Sequence, residues 1–109
     1  MMRTAIRERP GTTIVDVTGD IDMGTSPSLR KTLLESLKKI PRLVVNLREV
    51  QYVDSSGIAS LVEVLKEARD KNKRLILLGL NPAVREALRL TRLNTIFEIL
   101  ETEEEALQA

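Results

Sequence analysis

The segment at 54–57, Asp-Ser-Ser-Gly, has the residue types and the position best suited to chemistry in this chain. A short β-branched apolar run at 43–47 precedes it and is typical of an interior strand. An apolar i, i+3, i+4, i+7 pattern follows it from Ile58 and is typical of a helix face. Function in α/β proteins concentrates at the edge where strands end and helices begin. We therefore expect an exposed serine hydroxyl at a helix N-terminus.

Ser55 is predicted to accept a phosphoryl group. A phosphate there meets free backbone N–H groups and the positive end of the helix dipole. Its charge of about −1.5 to −2 is costly to desolvate beneath a docked partner, so one modification can release a complex. Asp54 would orient the serine or set the helix entry, and Gly57 lets the backbone approach closely. The alternative is that Ser55 or Ser56 only caps the helix, a role worth about 1 kcal/mol.

Two more groups of residues are candidates for a binding surface. Turning the helix at 56–70 by about 100° per residue places Ser60 and Val64 away from its main apolar stripe, where they are predicted to contact a partner. Asp20 and Asp22 end a strand in a loop, as Asp54 does. Three such carboxylates can bind Mg²⁺, but turn and capping roles are favoured, and we expect no metal site. A phosphate-bearing receiver domain is disfavoured because the acidic pair follows a hairpin.

The elements that must position these residues alternate along the chain. Strands are expected at 3–9, 12–18, 43–47, 74–79 and near 96–100, and helices from about 26 to 41, over 56–70, from 82 to about 92, and after a capping box at 102–105. The order β-β-α-β-α-β-α-β-α predicts an α/β fold. We expect one domain with a mixed, mainly parallel sheet of about five strands covered by about four helices.

Composition narrows the functional classes. A chain of 109 residues matches one domain, and 42% hydrophobic with 30% charged residues is a globular balance. The absence of Cys excludes disulfides and thiolate metal sites, and the absence of His removes the commonest general base. A net charge of +1 with two aromatic residues argues against nucleic-acid binding. With no membrane-length apolar run and no signal-peptide pattern, we expect a cytoplasmic protein that needs no cofactor.

Four stretches resemble the STAS domain of the bacterial anti-sigma-factor antagonist family. They are Val-Thr-Gly-Asp-Ile-Asp at 17–22, Leu-Val-Val-Asn-Leu at 43–47, Val-Asp-Ser-Ser-Gly-Ile at 53–58, and Asn-Pro-Ala-Val at 81–84. The likeness follows the chain in order and implies one STAS domain over 1–109.

By this resemblance, Ser55 is the residue phosphorylated by an anti-sigma factor that is itself an ATP-dependent serine kinase. The unphosphorylated protein would bind that kinase and release the sigma factor, the phosphorylated protein would not, and a phosphatase would reset the switch. The protein would catalyse nothing itself. The residues expected at the partner surface are Asp20, Asp22, Asp54, Ser56, Gly57, Ser60 and Val64.

Two other functions stay open at the level of sequence. The helix sequence Ile-Ala-Ser-Leu-Val-Glu at 58–63 is less glycine-rich than in many antagonists. It is also similar to STAS subunits that bind the ATPase of phospholipid-trafficking ABC transporters, with no direct membrane insertion. An enzyme is disfavoured because the serine motif contains no lysine to act as a base. The sequence does not decide whether the domain pairs with itself.

Overall fold

The protein is described by a computed structural model over residues 2–109. Within that range, the elements are β1 (Arg3–Arg9), β2 (Thr12–Thr18), α1 (Ser26–Leu37), β3 (Arg42–Glu49), α2 (Ser55–Asp70), β4 (Arg74–Leu78), α3 (Pro82–Leu90), β5 (Glu98–Leu100) and α4 (Glu103–Gln108). The predicted order of strands and helices is confirmed. The first helix ends at Leu37 and the third at Leu90, both earlier than expected, and after the third helix the chain turns through Arg92 with a φ of 61°.

The five strands form one sheet in the order β1-β2-β3-β4-β5. The hairpin pair β1–β2 is antiparallel, while β2–β3, β3–β4 and β4–β5 are parallel. The predicted mixed, mainly parallel sheet is therefore confirmed. The parallel strands end at the same edge of the sheet, so the loops after β2 and β3 meet there.

Buried side chains lie on both faces of the sheet, because successive strand residues point to opposite sides. Val45 belongs to a large core formed with apolar residues of α1, α2 and α3, including Leu29 and Leu61. Its neighbour Val44 belongs to a smaller core closed by Ala106 of α4. Three helices therefore cover one face, and a single short helix covers part of the other.

The prediction that Ser60 and Val64 face outward from α2 is wrong. Val64 is 0% exposed and Ser60 is 8% exposed. Helix α2 packs against α1 as well as against the sheet, so its buried sector is wider than its apolar stripe alone indicates. Glu63 lies on the outer side, as expected, and forms an ion pair with Arg30 of α1 at 2.9 Å. Ser60 and Val64 therefore belong to the interior of the domain and offer a partner almost no surface.

Truncating Val64 tests this placement. Val64→Ala removes two buried methyl groups from the large core, so we expect the free energy of unfolding to fall by about 1–3 kcal/mol. Lys66→Ala, at an exposed position of the same helix, is the matched control and should change it by less than about 0.5 kcal/mol. Urea unfolding measures both; equal stabilities for the two variants would contradict the assignment.

A network of polar side chains ties the second face of the sheet to α4. Arg7 donates from Nε to Asp16 Oδ2 at 2.6 Å and from Nη2 to Asp16 Oδ1 at 2.8 Å. The same guanidinium contacts Glu103 of α4 at 2.9 Å, and Asn46 donates to Asp16 Oδ1 at 2.8 Å. These bonds to Arg7 hold the pKa of Asp16 below its usual range, with Asn46 adding to the effect.

The network predicts how stability responds to acid. Because the folded state favours ionised Asp16, this stabilisation is complete above about pH 3.9, where an unfolded aspartate titrates, and is lost as the pH falls through the lowered folded pKa. Asp16→Asn should therefore flatten the dependence of unfolding free energy on pH below about pH 4. Urea unfolding across that range measures the slope. Asp70→Asn, at an exposed position, is the control; the same flattening there would contradict the prediction.

Candidate functional site

Two loops at the carboxyl edge of the sheet are joined by a parallel bridge between Ile21 and Val53. The Ile21 N–H donates to the Tyr52 carbonyl at 3.0 Å, and the Asp54 N–H donates to the Ile21 carbonyl at 3.0 Å. Ile21 is completely buried. The loop that carries Asp22 is therefore fixed against the residues that open α2.

Asp54 is the N-cap of α2. Its backbone is extended, with φ −90° and ψ −176°, and its Oδ1 accepts the Gly57 N–H at 3.0 Å. The same oxygen accepts the Ser56 hydroxyl at 2.6 Å. The simpler prediction, that Ser55 or Ser56 caps the helix, is wrong. An aspartate one residue earlier supplies the cap, and its negative charge also suits the positive end of the helix dipole.

The Asp54 carboxylate is held as an anion. The hydrogen bond from the Ser56 hydroxyl lowers its pKa most, followed by the one from the Gly57 N–H; the backbone N–H groups of Ser56 and Met23 act in the same direction. The contribution of Met23 comes from the neighbouring loop. Residues of both joined loops thus stabilise one negative charge at the entry to α2.

Gly57 allows the helix to start this close to the bridge. A Cβ atom on Gly57 would lie 2.7 Å from Ile21 Cγ2 and 2.8 Å from Val53 Cγ1. Only a residue without a side chain fits there, so the predicted close approach is confirmed. Gly57 is itself buried, which makes it a packing residue beneath the site; the prediction that it contacts a partner is corrected accordingly.

Ser55 is the first residue of α2 and is exposed, as the sequence predicts. The hydrogen bonds of this turn are made by Ser56 and Gly57. Beside Ser55 runs an open groove of about 470 Å³ between α2 and the segment after α3. Its walls are mostly apolar, and the residues that line it with Ser55 are Ile58, Ala59, Val62, Glu63, Lys66, Thr91 and Leu93.

Asp22 organises the neighbouring loop. Its Oδ1 accepts the N–H groups of Gly24 at 2.9 Å and Thr25 at 3.0 Å, and the Thr25 hydroxyl at 3.1 Å. Asp20 is exposed and contributes its carbonyl to the same hydroxyl at 3.0 Å. The turn role favoured from sequence is therefore confirmed for Asp22. Across residues 2–109, no three carboxylates, histidines or cysteines are grouped as a metal ion would require.

Comparison with known proteins shows the family to which the chain belongs. The family model described as the STAS domain matches residues 3–106. The chain belongs to the STAS domain family. A relative named anti-sigma-B factor antagonist, from Listeria monocytogenes, is 33% identical over 90 residues, which cover 82% of this chain and 79% of the relative. This STAS domain is therefore of the anti-sigma-factor antagonist type.

Solved structures share the fold of this STAS domain. The crystal structure of an anti-sigma factor antagonist from Mycobacterium paratuberculosis superimposes with a TM-score of 0.90 at 28% identity, covering 99% of this chain and 92% of that one. A sulfate transporter family protein from Wolinella succinogenes superimposes with a TM-score of 0.80 at 18% identity, covering 92% and 84%. No helix within residues 2–109 has the length and apolar character of a membrane span.

Two exposed apolar side chains beside the serine were missed by the sequence reasoning. Met23 is 77% exposed and Tyr52 is 52% exposed. Met23 lies in the Asp22 loop, and Tyr52 lies in the loop before Asp54, so the Ile21–Val53 bridge brings them to one edge of the STAS domain. The available signal was a large side chain in each loop; only their exposure distinguishes them from the buried Ile21 and Val53 in the same loops.

Gly57→Ala tests the close approach beneath the site. The added methyl group would overlap Ile21 and Val53, so we expect α2 to shift and the free energy of unfolding to fall by about 1–3 kcal/mol. Gly24→Ala is the matched control, because its Cβ would meet only Asp22 Oδ1 at 3.4 Å, an ordinary contact. Thermal unfolding of both variants decides the question: a Gly57→Ala protein as stable as Gly24→Ala would show that the packing is not tight.

Proposed function

We propose that this antagonist is a phosphorylation-controlled binding protein, and that Ser55 is the residue whose phosphorylation releases an anti-sigma factor. The observation that carries the proposal is the contrast between two adjacent hydroxyls. Ser55 is exposed at the first position of α2, whereas the Ser56 hydroxyl is bonded to Asp54. An acceptor serine must reach into the active site of a kinase, and Ser55 is the one presented for that purpose.

The electrostatics of the turn favour a switch that leaves the fold intact. A phosphoryl group on Ser55 would add about −1.5 to −2 charges at a helix N-terminus, which attracts anions. The nearby Asp54 carboxylate opposes the addition, but both groups face solvent-accessible space at the domain edge. The phosphorylated domain should stay folded, and the new charge would act mainly on whatever covers the serine.

The surroundings of Ser55 offer a partner an apolar contact surface. Met23 and Tyr52 are exposed at the same edge, and the groove beside α2 adds the apolar sides of Ile58 and Val62. Exposed apolar groups near a polar centre are typical of protein interfaces. A partner that covers this mostly apolar surface would have to desolvate the phosphate, which is unfavourable.

The partner in this proposal is an anti-sigma factor with serine-kinase activity, and a phosphatase would restore the free hydroxyl. The name of the Listeria relative, anti-sigma-B factor antagonist, supports an anti-sigma factor as the partner. The protein would act in the cytoplasm by binding and would not be an enzyme. Asp20 and Asp22 remain candidate contacts, because their loop is fixed beside Asp54.

The alternative function is that of a STAS subunit bound to the ATPase of a phospholipid-transporting ABC system. The reported relatives give it no support. The shared fold does not separate the two functions either, since a sulfate transporter family protein has it at 18% identity. The antagonist reading rests on the sequence identity to named antagonists and on the exposed serine.

Charge substitution at Ser55 tests the switch. Ser55→Asp should weaken binding to a purified anti-sigma factor kinase from the same genome by about tenfold or more, equivalent to about 1.4 kcal/mol, because a fixed anion replaces a neutral hydroxyl. Ser55→Ala should bind like the wild type and take up no phosphoryl group from ATP. Titration calorimetry measures the affinities, and intact-mass analysis measures phosphorylation.

Gln108→Glu is the matched control, since it adds one negative charge at an exposed position of α4. Its affinity should equal that of the wild type. If Ser55→Asp and Ser55→Ala both bind the kinase as tightly as the wild type, the switch is refuted. A stable complex with a transport ATPase that forms unchanged after incubation with ATP would favour the alternative.

A further inference from the structure

We propose that Ser56 is a positioning residue: its hydroxyl holds the Asp54 carboxylate in the capping geometry and, by doing so, is withheld from phosphorylation. The first part concerns the folded domain alone. The second part rests on the proposed function, because it explains why only one of two adjacent serines would be modified.

The geometry of the Asp54–Ser56 pair carries the first part. The Oγ–Oδ1 distance of 2.6 Å is in the range of a hydroxyl bonded to an ionised carboxylate. The same Oδ1 also accepts the Gly57 N–H at 3.0 Å, so two donors from the first turn of α2 converge on one oxygen. Together they fix the orientation of the carboxylate. Without the Ser56 hydroxyl, only backbone donors would hold it.

The chemistry of phosphoryl transfer carries the second part. Transfer from ATP to a serine forms an Oγ–P bond, breaks the bond between that phosphorus and the departing ADP, and passes the hydroxyl proton to a general base of the kinase. At Ser56 that proton is the one bonded to Asp54. Modification would therefore break the cap contact and place a phosphate beside a carboxylate whose oxygen is now 2.6 Å from Oγ. Ser55 is exposed, and its modification would leave the Ser56–Asp54 hydrogen bond intact.

The two serines therefore have different tasks despite their identical chemistry. Ser56 is half-buried and keeps the first turn of α2 in one conformation. Ser55 exposes its hydroxyl from that turn. The distinction depends on the side-chain rotation of Ser56 toward Asp54, which nothing in the local sequence specifies.

A carboxylate titration tests the positioning role without any kinase. Carbon-13 NMR of the aspartate side chains gives the pKa of Asp54 in the wild type, Ser56→Ala and Ser56→Thr. Ser56→Ala should raise the Asp54 pKa toward the ordinary aspartate value of about 3.9, and Ser56→Thr, which retains a hydroxyl, should restore the wild-type value. The pKa of Asp16, set by Arg7, is the internal control and should not change. An unchanged Asp54 pKa in Ser56→Ala would overturn the positioning role.

Phosphorylation mapping tests whether the hydrogen bond to Asp54 keeps the Ser56 hydroxyl from being phosphorylated. With the anti-sigma factor kinase and ATP, Ser55→Ala should take up at least tenfold less phosphoryl group than the wild type, even though Ser56 remains. Adding Asp54→Ala to that variant frees Ser56 and should raise its phosphorylation at least tenfold. Adding Asp54→Asn instead keeps an acceptor oxygen for the hydroxyl and should leave Ser56 unmodified.

The outcomes separate this inference from the proposed function. Two results would overturn the proposal that Asp54 keeps Ser56 from being phosphorylated. They are phosphorylation of Ser56 in the single variant Ser55→Ala, and no phosphorylation in the Ser55→Ala/Asp54→Ala variant. A wild-type protein that takes up no phosphoryl group would refute the proposed function and, with it, the second part. The titration would still decide whether Ser56 positions Asp54.

Discussion

The close packing of Gly57 on the Ile21–Val53 bridge is the constraint on which the rest of the site depends. Because the helix begins within contact distance of that bridge, the Asp22 loop and the Asp54 turn are packed together at one edge of the sheet. A side chain at position 57 would separate them. The capping contacts of Asp54 and the presentation of Ser55 both follow from this approach.

The Asp54 carboxylate gives the residues of this turn different roles. Asp54 satisfies the Gly57 N–H, engages the Ser56 hydroxyl and remains ionised. The side-chain cap of α2 is therefore made by Asp54, and the contacts at its carboxylate come from Ser56 and Gly57. Under the proposed function, phosphorylation of Ser55 would leave the Asp54 cap in place. A reversible phosphorylation switch requires this, because the domain must stay folded with and without the phosphate.

The layering of the domain decides which surfaces remain for a partner. Helix α1 packs against α2, in which Ser60 and Val64 are buried, and the short helix α4 covers part of the opposite face of the sheet. What is left beside Ser55 is the carboxyl edge with Met23 and Tyr52 and the groove along the other side of α2. Any partner that senses Ser55 is expected to lie across that edge and groove.

Local signals in the sequence were sufficient for the order of elements, the hairpin, and the capping box at Thr102, because each depends on residues a few positions apart. The exposure of Ser55 also followed from its place between a strand pattern and a helix pattern. The identity of the residue that caps α2 did not follow from the sequence. Three neighbouring residues had suitable side chains, and only their side-chain rotations distinguish Asp54 from the two serines. The burial of Val64 and the joining of the two loops that carry Met23 and Tyr52 were decided by tertiary structure alone. Both arise from contacts between segments far apart in the chain, which no local periodicity records.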